Sequence, residues 1–187
     1  MFIQTEETPN PATLKFLPGC PVLSQGGALE FATAAEASRS PLAERLFQIN
    51  GVTGVFLGLD FISITKSGER DWYLLKPPVL GAIMDHFTSG RPILNAGTED
   101  GAAEGAAVGD NAEIINQIIA LLDERVRPVV ARDGGDITFH SFEDGVVWLR
   151  MRGACSGCPS STATLKAGVE NMLRHFIPEV QEVRAVR

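Results

Sequence analysis

An α+β protein of two small domains is the fold this sequence predicts, and three observations lead there. The chain has 187 residues, enough at roughly 150 per domain for one large domain or two small ones. Residues 95–110 read NAGTEDGAAEGAAVGD, with no aromatic, Val108 as the one large aliphatic, and acids at Glu99, Asp100, Glu104 and Asp110. Such a stretch cannot bury enough apolar surface to offset its ordering entropy, so it predicts a flexible linker between a domain at 1–94 and another at 111–187. On both sides of it, short β-rich runs alternate with helical periodicity. The second half follows the order α-β-β-α-β.

Composition narrows the function. Apolar residues make up 44% and charged residues 21%, which fits a globular chain and not a disordered one. The formal charge is −7, from 23 acids against 16 bases, and this argues against a nucleic-acid binder with its basic stripe. Residues 1–94 carry 7 bases and 9 acids and residues 111–187 carry 9 and 10, so part of the acidity belongs to the linker. No apolar run approaches the ~20 residues that span a bilayer, and a soluble protein with no membrane partner is expected. The first basic residue is Lys15, after Glu6 and Glu7, unlike a secretory signal or an Arg-rich transit peptide. Three cysteines are too few for a disulfide scaffold, which fits a reducing compartment. The expected location is the cytoplasm.

The first half begins with a turn at Pro9-Asn10-Pro11 and a strand over 13–17, ended by Pro18-Gly19. Ser40-Pro41 is an N-cap followed by a proline at the first helical position. The helix it opens carries Leu42, Leu46 and Ile49 at helical spacing and ends before Gly51. Residues 52–57 and 61–66 pair as a hairpin around Gly58-Leu59-Asp60. A last helix is expected from about Pro77-Pro78 to His86-Phe87, with Leu80, Ile83, Met84 and Phe87 inward. No catalytic constellation assembles here, and His86 has no evident partner.

In the second half, Asp110 with Glu113 resembles a capping box. Ile114, Ile115, Ile118, Ile119, Leu122 and Val126 mark one helix face, and Pro128 bends or shortens that helix. Asp133-Gly134-Gly135-Asp136 reads as a turn. Residues 137–142 and 146–151 pair across Glu143-Asp144-Gly145. After the loop at 153–159, Ser160 or Ser161 caps a helix running to about Phe176, and a short strand follows over 180–186.

That loop reads GACSGCP and carries the chemistry. Cys155 and Cys158 form C-x2-C at the mouth of a helix. Two intervening residues bring both sulfurs to one metal or cluster, and Gly153 and Gly157 allow tight backbone. Pro159 holds Cys158 away from helical dihedrals. Loop amides and the helix N-terminus favour thiolate, and Arg150 and Arg152 could offset negative charge. Three readings compete. A dithiol redox site normally rests on a βαβ context, whereas these cysteines follow a hairpin strand. Structural zinc needs four ligands, but His140 falls on a solvated strand face and His175 near the far end of the last helix. An iron–sulfur cluster shared between two chains gets its four thiolates from a symmetric dimer.

The run from DGGD (133–136) through the hairpin to GACSGCPSSTATLKAGVENMLRHFIPEV (153–180) resembles the C-terminal domain of NifU-like proteins. FIQTEETPNPATLKFLPG (2–19) and SPLAERLF (40–47) resemble the N-terminal domain of two-domain Nfu-type scaffolds. This resemblance covers nearly the whole chain. It implies a scaffold or carrier, not an enzyme, that assembles one four-iron four-sulfur cluster per dimer. Cys155 and Cys158 of each protomer would be the cofactor and metal ligands. Implied partners are a second copy of the chain, apo iron–sulfur clients and upstream iron–sulfur assembly machinery. The missing transit peptide, set against organellar members, suggests a bacterial cytosolic form.

Other candidates carry blander readings. Cys20 is a lone thiol far from the pair in sequence. Trp148 alternates with Val147 and Leu149 and belongs to a second packing surface. Asp133 and Asp136 read as turn residues, since a soft iron–sulfur site prefers thiolate. Gly134-Gly135 lacks the Lys-Ser/Thr of a phosphate loop. No nucleophile–base pair supports a hydrolase.

Overall fold

The computed structural model describes residues 2–24, 27–95, 111–156 and 159–186, excepting the side chains of 159–161. The chain divides into two compact units, Met1–Ala102 and Ala103–Arg187. Apart from Asn95, the expected linker at 95–110 lies outside the described residues. Asn95 itself is bound into the first unit, donating from its backbone N–H to the Arg39 carbonyl (2.9 Å) and from Nδ2 to that of Ser38 (2.7 Å).

The first unit is a five-stranded antiparallel sheet in the order β1-β2-β5-β4-β3. Its strands are β1 (Gln4–Glu7), β2 (Thr13–Leu17), β3 (Leu29–Phe31), β4 (Val52–Leu57) and β5 (Ile62–Lys66). Two helices, α1 (Pro41–Phe47) and α2 (Trp72–Thr88), complete it with a 3-10 turn at Glu36–Arg39. Inward residues of the sheet (Leu14, Phe16, Val55, Leu57, Ile62, Ile64) meet Leu42 and Leu46 of α1 and Val79 and Ile83 of α2 in one apolar core.

Ser40 caps α1 as expected and also fastens the end of the unit. Its Oγ accepts from the Ala43 N–H (3.2 Å) and donates to the Ile93 carbonyl (2.6 Å). Ser40→Ala removes a cap and leaves a carbonyl without its donor, so a loss of about 2 kcal/mol is expected. The first unit's urea transition reads this, and an unchanged midpoint would contradict the double role.

Helix α2 corrects the sequence reading. It starts at Trp72, five residues before Pro77, because Asp71 caps it by accepting from the Tyr73 N–H (2.9 Å). Pro77 and Pro78 sit inside, and the carbonyls they leave undonated, those of Tyr73 and Leu74, belong to exposed residues that water can serve. Leu75, Val79, Ala82, Ile83 and His86 are buried, and Leu80 and Phe87 pack half-buried against the same core. Met84, expected inward, is 43% exposed. His86 is buried, and its Nε2 has no hydrogen-bond partner among the described residues.

The second unit runs α3 (Ala112–Leu121), a π-helical turn (Leu122–Val126), α4 (Arg127–Arg132), β6 (Gly135–Glu143), β7 (Val146–Gly153), α5 (Pro159–Phe176) and β8 (Glu182–Val186). The expected α-β-β-α-β order is present, with the first helix in three pieces. Asp110, half of the expected capping box, lies outside the described residues. Asn111 is the N-cap and makes no side-chain cap bond. Ile118, Leu122, Val126 and Val130 are buried at steps of four residues. In an unbroken α-helix that row would wind round by about 40° per step. The wide π turn takes up the excess directly before Pro128, whose missing N–H interrupts the ladder there.

Strands β6 and β7 are antiparallel with an irregularity between Phe139 and Ser141, and β8 lies parallel to β7. Asp144 (φ 49°) and Gly145 (φ 79°) form the hairpin turn, both in the left-handed region that a tight two-residue connection demands. Along β7, Val147, Leu149, Met151 and Gly153 are buried while the residues between them are half-buried. Ile137, Val147, Leu149, Val169, Leu173 and Val183 pack with the helices as the second core.

Candidate functional site

The loop with the paired thiols joins β7 to α5. It is anchored at three points. The Ala154 N–H donates to the Gly134 carbonyl (3.2 Å), Ser156 returns to the Gly153 carbonyl through its N–H (3.1 Å) and its Oγ (2.8 Å), and the Thr162 Oγ1 donates to the Cys155 carbonyl (3.1 Å). Gly153 takes φ 65°, a left-handed conformation that turns the chain out of the strand. Gly157 and Cys158 lie outside the described residues, so the structure places only the first thiol of the pair. Helix α5 begins at Pro159, where a proline costs the helix nothing.

Cys155 is 7% exposed and belongs to the apolar core of its unit. Its seat is made by an absent side chain. A Cβ on Gly135 would come within 2.7 Å of both the Cys155 Sγ and the Arg152 carbonyl oxygen, and within 3.1 Å of the Cys155 backbone N. Gly135 opposes Gly153 in the ladder, so two glycines let strand and loop approach at this point. Sequence reading took Gly134-Gly135 as a turn only. A glycine pair opening a β-rich run was the available signal for close approach.

The expected thiolate is not what the structure supports at Cys155. Burial, helped by the carboxylates of Asp133 and Asp136, pushes the thiol up to about 12. Removal from water outweighs loop amides and helix end for a group set back in the core. The folded state therefore holds this proton more tightly than the unfolded chain. The associated stability is complete below the ordinary thiol value near 9 and is lost as pH rises from there through about 12. At pH 8, iodoacetamide should modify Cys155 about a thousandfold more slowly than an unhindered thiol, in proportion to thiolate present. Modification at a free-peptide rate, read by peptide mass, would contradict this burial.

Asp133 is exposed and Asp136 is buried. Sequence reading took both as turn residues. Asp136 instead forms a two-point ion pair with Arg127, Nε to Oδ1 at 2.8 Å and Nη2 to Oδ2 at 3.2 Å. His140 and His175 are both exposed. Trp148 faces away from Val147 and Leu149, with the Arg184 guanidinium 5.5 Å over its ring. Cys20 lies in the first unit after β2, half-buried. Among the described residues no three His, Cys, Asp or Glu side chains gather to hold a metal.

An α-β-β-α-β unit with a C-x2-C loop entering its last helix, preceded by an antiparallel-sheet unit, defines the class. Residues 3–90 match the family model described as "Scaffold protein Nfu/NifU N terminal", and residues 118–184 match "NifU-like domain". The chain belongs to the Nfu/NifU family. It is 51% identical over 187 residues to the NFU1 iron-sulfur cluster scaffold homolog, mitochondrial, of Homo sapiens, covering all of this chain and 72% of that one. It is 51% identical over 186 residues to the protein of the same name in Drosophila sechellia, of which it covers 65%. The chain thus spans about two-thirds of the length of its curated relatives. A solution structure of a NifU-like protein from Saccharomyces cerevisiae aligns with 51% of this chain and 85% of its own at a TM-score of 0.46 and 27% identity.

These names correct the expected cytoplasmic location, since the relatives are named mitochondrial. That expectation rested on the composition of the first residues, which speaks only for those residues, and on a low cysteine count, which fits any reducing compartment.

Proposed function

We propose that the chain is an iron–sulfur cluster scaffold and carrier, not an enzyme. Two protomers each supply Cys155 and Cys158 to one four-iron four-sulfur cluster, which is cargo. The observation carrying this is the C-x2-C loop at the head of α5, inside the segment that matches the NifU-like domain. Four thiolates are the usual ligation of such a cluster, and two-fold symmetry meets the count with two cysteines per chain. The relatives' names, as iron–sulfur cluster scaffolds, support the same reading.

The chain's own part is to hold and to release. Loading displaces the Cys155 proton and draws the sulfur out of its apolar seat, so uptake releases protons and strengthens as pH rises. Release runs by ligand exchange without electron transfer. An acceptor thiolate takes each iron position, and the freed cysteine sulfur recovers a proton. The protonated, core-packed state of Cys155 favours the second half of that exchange.

The deciding measurement is iron and acid-labile sulfide per chain after anaerobic reconstitution, with the absorption spectrum and the mass in solution. About two irons and two sulfides per chain in a dimer are expected for a shared cubane. A colourless monomer without iron would overturn the proposal, and about one zinc without sulfide would replace it with a structural metal module. We further propose that the first unit engages clients while the second presents the cluster. Deleting residues 1–94 should leave loading intact and slow transfer to at least some clients. Equal transfer rates to every client tested would remove that division.

A further inference from the structure

Arg127 has no role in the reading above, and Asp136 enters it only as a charge near the thiol. Arg127 opens α4 directly after the π turn, and Asp136 is the second residue of β6. Asp136 is 5% exposed, and Arg127 grips both its oxygens at 2.8 and 3.2 Å. The Nη1 of the same guanidinium donates to Asp123 Oδ1 (3.1 Å), one turn back. A fork between two planar groups fixes orientation as well as separation. The edge strand β6, paired among the described residues with β7 alone, is clamped at its start to the helical layer.

That clamp sits one residue from the seat of Cys155. Gly134 accepts the loop's backbone hydrogen bond, Gly135 leaves the space against Sγ, and Asp136 takes the guanidinium. Three consecutive residues thus hold the loop, house the thiol and fasten the strand. We propose that the Arg127–Asp136 pair is a positioning device for Cys155, fixing residues 134–136 beneath the loop and so setting how far the thiol is withdrawn from an incoming iron centre. The inference rests on the reading of Cys155 as a cluster ligand. Neither residue is asked to touch the cluster, and both act through Gly135.

The test reads Cys155 in the apo chain. In the full chain carrying Cys158→Ser, iodoacetamide modification of Cys155 is followed by peptide mass, with Cys20 as internal control. Arg127→Gln is expected to speed Cys155 modification at least tenfold and leave Cys20 unchanged. Asp136→Asn should do the same, but it also removes a charge that pushes the thiol up, so a rise in the Arg127 variant is what supports the device. Asp123→Asn, which spares the fork, should alter neither. A parent-like rate at Cys155 in the Arg127 variant, or a matching rise at Cys20, overturns the proposal. Should either variant fail to fold, Arg127→Lys keeps the charge without the fork and carries the same readout: a rise at Cys155 alone supports the device, and a parent rate overturns it. Iron per chain, measured separately with Cys158 intact, keeps the two failures apart. No iron on the parent chain sinks the scaffold reading, whereas the alkylation result bears on the clamp alone.

Discussion

Cys155→Ser or Cys158→Ser should each bring reconstituted iron and sulfide to background and leave a monomer, while Cys20→Ser loads and dimerises like the parent. The size of the effect follows from symmetry. In a cluster shared by two identical chains, one substitution removes two of the four ligands, because both protomers carry it. Serine does not compensate, since its hydroxyl keeps its proton near neutral pH and oxygen is a harder donor than iron–sulfur centres select. Anaerobic reconstitution with iron and sulfide assay, and the mass in solution with and without iron, checks all three variants. A Cys155→Ser chain that retains half its iron would mean ligation within one chain. Loss of iron in Cys20→Ser would bring the first unit into the site and refute the present assignment.

The parts of this fold that were legible in the sequence are those where local chemistry and tertiary packing agree. Ser40-Pro41 predicts the start of α1, and alternation along 146–151 predicts β7, because cap and pleat are short-range. Strand β1 was illegible. Gln4–Glu7 is entirely polar and mostly exposed, and becomes a strand by pairing with β2, where Glu6 meets Lys15 at 3.3 Å. Strand β3 is three residues long, too short for a period to show. Two prolines marked a false start for α2, because Asp71 and the apolar stripe from Leu75 onward outweighed what the prolines cost.

The site divides in the same way. The C-x2-C spacing points to the two sulfurs proposed as ligands, since spacing is a local property. The thiol's protonation was misjudged because it depends on depth, which no motif records. The Arg127–Asp136 pair joins a helix start to a strand start nine residues on, and neither residue type announces the other. Gly135 becomes meaningful only once the register places it opposite Gly153.

Gly135→Ala is therefore expected to be a costly single-methyl change in the second unit. The added Cβ would stand 2.7 Å from Sγ of Cys155 and from the Arg152 carbonyl oxygen. A side chain could rotate away, but that oxygen and the Cys155 N at 3.1 Å are backbone, so the ladder itself must part. Overpacking of this kind costs about 1–3 kcal/mol, a fall of roughly 4–8 °C or more in the midpoint of a unit this size. Gly168→Ala supplies the opposite sign. Gly168 is exposed within α5 with nothing within 4 Å of its Cβ position, so alanine there should raise stability by about 0.5–1 kcal/mol through helix propensity. Thermal melts of both variants, with the alkylation rate of Cys155, separate two consequences of one methyl. If Gly135→Ala melts like the parent, strand and loop are not in close contact and the thiol has no fixed seat. If it melts lower while Cys155 reacts faster, the missing side chain at 135 is what keeps that sulfur in the core.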